Sequence, residues 1–533
     1  MTLAALALVF PAMAPPVVRL APLDNRPASL QYPQMIGAIA GVEVQTPPES
    51  VLGRFERPGN PDHVLVWLEA ESRAALTPTI VSADMIAYGG LVASRTSATS
   101  EERAIERVRR LAGIRKESDA APLYVFSAIT RLAPTAVVAN AKWRDTLVRY
   151  VRLREEQRAV PTKDGPARLE HLRKSLPVGV LEDYDKVRRR NLAIQKELIR
   201  LVERGVIDYL LLGQDDAAET GPHIRERAEL QQLAARLNVS GKVLICEGID
   251  QHASALVSKA VMRQVGFVPK VEIVFSDESK ADRAAKFETK SMRESFREQL
   301  IACGARQARP DETPDYRLFV NVPEPLPTER AKFMAKLSDA LANGDPVALA
   351  DVNIDSRGMA DAVLFDFLRS RKQIPFLKTY GAWNTAGNTF GAAVPAANFV
   401  AWNRAAERTG IELERARLEF LLNRIVNDYG YHRWSRPLAY MLVDDSPTAA
   451  REEVYGEELM VVSEVVRRDL SRRIIQLFDD QFRGLRVRVV DQEFDVVAIE
   501  DPQVRLPWPR AYEVLVEFRL VLQPVPTRRG GGG

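Results

Sequence analysis

Cysteine and histidine are scarce. The chain of 533 residues holds two cysteines, Cys246 and Cys303, and five histidines. Two cysteines exclude a disulfide framework or a zinc knuckle and leave either two buried thiols or a single bridge. No two histidines have the H-x-x-x-H spacing of a helical metal site, so a histidine-rich transition-metal centre is not expected. An all-oxygen cation site stays open, because hard cations take carboxylate and amide oxygens. Also missing are a G-x-x-x-x-G-K-S/T phosphate loop, a G-x-G-x-x-G fingerprint after a strand, and a G-x-S-x-G nucleophile elbow. Covalent Ser or Cys hydrolysis is therefore not expected, and no cofactor is called for. An excess of charge of one sign is absent too: 74 basic residues face 71 acidic ones, for a formal net charge of +3. That balance provides no general field for nucleic acid or membranes, so no nucleic-acid partner is expected. Basic runs such as KVRRR (186–190) sit in helix-like stretches and read as solvated faces.

What is present begins with MTLAALALVFPAMAPPVVRL. An apolar stretch ending in Ala-Met-Ala fits the h-region and cleavage site of a secretory signal, although no basic n-region precedes it. Residues 1–14 are therefore expected to direct export to the periplasm or the exterior; the alternative is a short buried strand and a cytoplasmic protein. No other stretch approaches the roughly 20 apolar residues of a membrane span, so no integral membrane segment is expected in the mature chain.

Short β-branched or leucine-rich runs then alternate with amphipathic, charged stretches. Ten runs read as strands: 17–23, 42–47, 79–85, 123–129, 209–214, 243–248, 271–276, 317–322, 346–352 and 376–380. Alternation of near-continuously apolar strands with helices means a parallel sheet covered on both faces. The expected fold class is α/β, either a (β/α) barrel-like core or parallel sheets in series, over residues 15–400. Residues 401–533 follow as a helical region with a small antiparallel β element.

Polar clusters collect immediately after these strands, and in parallel α/β folds the carboxyl ends of the strands share the ligand-binding face. The clusters supply Asp24, Asn25 and Arg26 in PLDNRP, Asp84 and Tyr88 in SADMIAYGG, and Arg131 in SAITRLAPT. They also supply Asp215 and Asp216 in GQDDAAETG, Glu247 and Asp250 in CEGIDQH, and Trp383, Asn384 and Asn388 in GAWNTAGN. Each has a plainer reading. PLDNRP is rich in turn formers, Asp84 or Asp250 would serve as a helix cap, Tyr88-Gly89-Gly90 as loop punctuation, and Trp383 as core. Adjacent Asp215 and Asp216 are the sharpest case. Neighbouring carboxylates repel, and partial burial raises the pKa of at least one, the separation that acid–base chemistry needs. The pair, with Asp24, Asp84, Asp250 and Asp351, also suits a shared hard cation.

LAPLDNRPASLQYPQMIGAIAGVEVQTPP, SADMIAYGGLVASR, FSAITRLAPT, LLLGQDDAAETG and YGAWNTAGNTFG, with NDYGYHRWSRP further on, together resemble a bacterial family known as domain-of-unknown-function family 4127. The resemblance runs from about residue 17 to about residue 440 and brings no established activity. It implies an acid after EGID, where this chain has Gln251. GQDD followed later by AWN is also similar, more faintly, to barrel glycosidases that cleave N-acetylhexosamines by substrate assistance. That similarity implies that one of Asp215 and Asp216 orients an acetamido group while the other is general acid/base.

The expectation is thus a glycoside hydrolase-like enzyme acting on a cell-envelope or environmental saccharide. Asp215 and Asp216 would be catalytic. Trp383 would stack on a sugar, Asn384 and Asn388 would bind its polar groups, and Asp24, Asn25, Arg26, Asp84, Tyr88, Arg131, Glu247 and Asp250 would line the pocket. Two alternatives use the same residues: metal-dependent hydrolysis of an amide or phosphoester, and saccharide binding without turnover. The expected partner is a small molecule or oligosaccharide; the sequence sets no oligomeric state.

Overall fold

The computed structural model describes residues 16–74, 77–117, 121–215, 217–446 and 450–526. The expected signal segment and Asp216 lie outside these residues.

Strands β1 (Val17–Ala21), β2 (Glu43–Gln45), β3 (Thr79–Ser82), β4 (Leu123–Ile129), β5 (Tyr209–Gln214) and β6 (Val243–Glu247) form one sheet, ordered β2-β1-β3-β4-β5-β6. A second sheet contains β7 (Lys270–Phe275), β8 (Arg306–Gln307), β9 (Tyr316–Asn321), β10 (Val347–Asp351) and β11 (Thr379–Gly381), ordered β11-β10-β9-β7-β8. Every pairing in both is parallel. Counted from its own first strand, the second sheet runs 2-1-3-4-5 from its β8 edge, as the first sheet does from its β2 edge. That is the flavodoxin-like doubly wound order, which leaves a crevice at the carboxyl edge where the winding reverses. Of the two expected arrangements the chain adopts sheets in series; neither sheet closes into a barrel.

Every residue of β3, β4 and β5 is buried, as strands covered on both faces require. The ten expected strands are all present, and the two-residue β8 is the addition. Its sequence, Arg-Gln, is too short and polar to signal a strand.

The sheets are joined by a shared core. Helices His252–Gln264 and Ala386–Ala405 pack together, and their Leu256, Val257, Phe390 and Val394 belong to one buried cluster with Leu20 of β1 and Val320 of β9. Inside it, Asn398 donates to the Ser258 hydroxyl at 3.0 Å and accepts from the Tyr316 hydroxyl at 3.0 Å. Burial without such partners would cost each amide and hydroxyl a few kcal/mol, so the network fixes the packing. Cys246 and Cys303 lie in this core as free thiols.

The second helix runs five residues past the expected boundary at 400. Beyond it come helix Ile411–Arg424, a π-helical segment Ile425–Ser435, helices Arg436–Asp444 and Gly456–Gln481, and an antiparallel sheet of β12 (Arg486–Val489), β13 (Gln492–Arg505) and β14 (Leu515–Pro524). Their apolar faces share a core with the second sheet, including Phe319, Leu349, Leu470 and Val516. Gly430 is needed in the π-helical segment, where a Cβ would lie 2.8 Å from the Trp434 ring.

Candidate active-site cleft

The carboxyl edges of both sheets open onto one cleft of about 710 Å3. Its floor comes from the first sheet, through Arg26, Arg131, Asp215 and Asp250; the loop 354–359 after β10 and Asn384 after β11 form the opposite wall. The π-helical segment contributes His432, the next helix Arg436, and the β13–β14 connection Trp508, Arg510 and Tyr512.

Asp215 follows β5 directly, and its carboxylate is ion-paired with Arg95. Arg95 also donates to the Thr135 hydroxyl at 2.9 Å. The sequence brings Asp250 alongside through a glycine: at Gly213 a Cβ would sit 2.2 Å from the Gly248 carbonyl, so only glycine lets the loop after β6 fold back over β5. Asp250 accepts from Arg26 at 2.7 Å. Arg26 is in turn held by Asp24, which takes its Nε at 3.0 Å and its Nη2 at 2.8 Å. Burial pushes the Asp250 carboxyl above its ordinary range, with Asp24 and Asp215 adding to the shift and Arg26 opposing it. Asn25 stands behind this group, accepting from the Trp508 indole at 2.8 Å and donating to Glu49 at 3.0 Å.

Arg131, Asp215, Asp250, Arg26 and Asn384 therefore face the cleft, with Asp24 and Asn25 supporting them. Asn384 accepts from the Tyr512 hydroxyl at 2.9 Å. The other expected residues lie elsewhere. Asp84 is buried behind the floor, accepting the Ala128 N–H at 2.9 Å; burial, reinforced by Asp215, pushes its carboxyl up to about 6. Ser82, not Asp84, caps the short helix Ala83–Tyr88. Tyr88 packs in the core under the Arg190 guanidinium, and Gly89 ends that helix at φ +98° against Gly59, so the YGG stretch is a structural turn. Glu247 is fully buried beside Arg227 at 3.3 Å and Thr289 at 2.7 Å. Trp383 packs at the edge of the shared core, and Asn388 is buried in helix Ala386–Ala405. Gln251, where an acid was expected, is buried and donates to the Glu247 carbonyl at 2.9 Å.

KVRRR is a solvated face only at Lys186 and Arg189. Arg188 and Arg190 are buried because each neutralises a loop end. Arg188 pairs with Glu226 at 2.6 Å and holds the Thr130 and Arg131 carbonyls at 2.9 and 2.8 Å. Arg190 holds the carbonyls of Ser94, Thr96 and Thr99 at 2.6 to 2.9 Å. Both stretches carry cleft arginines, Arg131 and Arg95.

Residues 18–517 match a protein family described as Protein of unknown function (DUF4127). The chain belongs to that family. No curated protein and no solved structure matches it. The DUF4127 cleft includes residues that sequence reasoning passed over. Arg95 closes the SADMIAYGGLVASR stretch, and His432 and Arg436 lie in NDYGYHRWSRP, all three in signals already noticed. His432 is buried and its Nδ1 meets no protein partner among the described residues; burial, Arg436 and Arg424 keep the imidazole neutral. Arg436 is also buried, donates to the Arg357 carbonyl, and has no carboxylate partner among the described residues. Arg510 pairs with Glu513 at 2.9 Å and lies 4.6 Å over Trp508.

Among the described residues, no three His, Cys, Asp or Glu side chains are grouped to hold a metal ion. Likewise, no helix among them is long and apolar enough to cross a membrane.

Proposed function

We propose that the cleft receives an anionic saccharide and hydrolyses a glycosidic bond with Asp215 and Asp250 as its carboxylate pair. One observation carries this reading: two carboxylates from neighbouring strand ends meet one cavity in different electrostatic surroundings. Asp215, ion-paired with Arg95, serves as the base or nucleophile, while Asp250, pushed up by burial and by Asp24 and Asp215 against the opposing Arg26, serves as the proton donor. Arg436, Arg131 and Lys286 supply positive charge around them, which favours a substrate bearing carboxylate, sulfate or phosphate. The neutral His432 is a hydrogen-bonding group for sugar hydroxyls. We take the apolar N-terminal stretch as an export signal, which fits a cell-envelope or environmental glycan.

A second reading, saccharide binding without turnover, is favoured by the guanidinium already seated on each carboxylate. Hydrolysis of a panel of uronate-containing and N-acetylhexosamine oligosaccharides, by wild type and by Asp215→Asn and Asp250→Asn, separates the two. Turnover lost in both folded variants supports the hydrolase. Binding by calorimetry with no turnover in any of the three supports the binding protein. Turnover indifferent to both substitutions removes this carboxylate pair from the mechanism.

A further inference from the structure

Beside the cleft lies a second cavity, of about 590 Å3, with a different lining. Val92, Val137, Trp143, Leu147, Val180 and Val187 give it largely apolar walls. The two cavities meet at Val92, Arg95, Arg131 and Thr135, which line both. The outer wall comes from chain inserted between β4 and β5: a short turn Val138–Asn140, then helices Arg144–Ala159, Gly165–Lys174 and Val180–Glu203. The insertion has a small core of its own, Leu132, Leu147 and Val151, with Trp143, Val180 and Tyr184 packed on it. Tyr184 locks it to the β4 loop by donating to the Leu132 carbonyl at 2.9 Å. An apolar seam also leads in from the cleft, where Val92 packs with Phe55 and Trp508 and Val137 lies against them. At the rim Val178 is fully exposed.

We infer that this chamber is the subsite for the apolar portion of an amphipathic anion: an alkyl, acyl or aryl group attached to the charged sugar that the cleft receives. The inference rests on the cleft reading above. An apolar chamber that opens beside guanidinium groups discriminates in two ways. Water leaves its walls readily for hydrocarbon, and the arginines at the junction attract charge just outside. A ligand that carries both parts, adjacent, satisfies both cavities. A neutral lipid or an unsubstituted acidic sugar satisfies one.

The test is a fluorescence titration of the full chain with anilinonaphthalene sulfonate, an aromatic group beside an anion, followed by competition with alkyl glucuronides from methyl to octyl below their micelle concentrations. One saturable site is expected, with affinity for the competitors rising about threefold to fourfold per methylene. Val137→Asp and, independently, Val180→Asp are half-buried wall positions. Each should flatten that dependence on chain length while leaving methyl glucuronide binding unchanged in protein shown to be folded by circular dichroism. Should either variant fail to fold, the wild-type series decides alone. Affinity that does not rise with chain length, no competition by the octyl member, or a dependence that survives both folded variants overturns the chamber as an apolar subsite. Loss of the hydrolase reading through the Asp215 and Asp250 variants would leave these binding readouts intact, so the two ideas fail separately.

Discussion

At the carboxyl edge of the first sheet the acids that reach the cleft meet guanidinium groups: Asp250, with Asp24 behind it, on Arg26, and Asp215 on Arg95. At the same edge of the second sheet, wound in the same order, Asp351 and Asp361 are met mainly by amides and backbone, while Asp355 of the cleft wall pairs with Arg357 at 3.2 Å. Asp351 accepts from the Asn321 side chain at 2.8 Å and from the N–H groups of Asn353 and Asp361 at 3.2 and 2.8 Å. Asp361 accepts from the side chains of Asn321 and Asn353 at 3.1 and 2.9 Å, with Arg330 at 3.6 Å. The space beside Asp351 is about 10 Å3, too little for a ligand. A carboxylate network closed on its own neighbours holds a loop; one matched by cations at an open cavity holds charge ready for something else. Topology offered both edges, and side-chain partners decided which became the floor of a cleft.

The strongest way to break that contrast is to neutralise one acid from each edge. Asp215→Asn should lower turnover on an accepted saccharide by roughly a hundred- to ten-thousand-fold, whereas Asp351→Asn should leave it unchanged; equal losses measured in steady-state assays would erase the distinction. Next in size is the brace beneath the cleft. Arg424 and Asp428 form a fully buried pair at 3.2 Å, Arg424 lies 3.4 Å over the Tyr32 ring, and Asp428 accepts the Ala382 N–H at 3.0 Å. Asp428→Ala strands the guanidinium and should cost about 3–5 kcal/mol in denaturant unfolding. Removing Glu464 from its exposed, solvent-screened pair with Arg467 should leave the unfolding midpoint almost unchanged.

Arg436→Gln sharpens the electrostatic side. It removes a buried cation with no carboxylate partner among the described residues, so binding of an acidic sugar should weaken by about ten- to a hundredfold, with a neutral sugar little affected; calorimetry on both distinguishes lost charge from lost shape. The last effect is on pH. Burial, with Asp361 adding to it, pushes Asp351 up to about 7, and burial likewise pushes Glu288 up to about 7 where it caps Gly387 at 2.6 Å. A carboxyl group raised in the folded state contributes stability that is full below its unfolded pKa and is lost as pH rises through the folded value. Their contribution to stability should therefore fall as pH rises toward about 7, while the buried His252 and His432, whose pKa values burial lowers, oppose it in the same range. The test is the difference in unfolding free energy, with Glu288→Gln matching wild type near about pH 4.5 and exceeding it increasingly toward about pH 7.5, by about 3 kcal/mol.

The parallel strands were legible because burial on both faces forces near-continuous apolar runs, and every residue of β3, β4 and β5 is buried. The choice between barrel and serial sheets was not, since strand order depends on packing between segments far apart in the chain. Acidic strand ends drew attention to Asp215 and Asp250 for a sound reason. Glu247 shared that signal and is buried beside Arg227, because a strand's last residue points to one face or the other and sequence does not say which. His432 and Arg436 were hidden in a helical pattern that the π-helical segment turns toward the cleft. Arg188 looked like solvent-facing charge because its partners, Glu226 and two loop carbonyls, are remote in sequence.

Trp508 donates to Asn25, a residue 483 positions earlier, and lies 4.8 Å from the Arg26 guanidinium that holds Asp250. The loop after β1 is thus finished by the β13–β14 connection. The floor and the C-terminal wall of the cleft are coupled, and a chain truncated before Trp508 would lack both that indole and Arg510 from the cleft lining. A nick in the β13–β14 connection should therefore disturb the Arg26–Asp250 floor as well as the wall, because an indole hydrogen bond joins them.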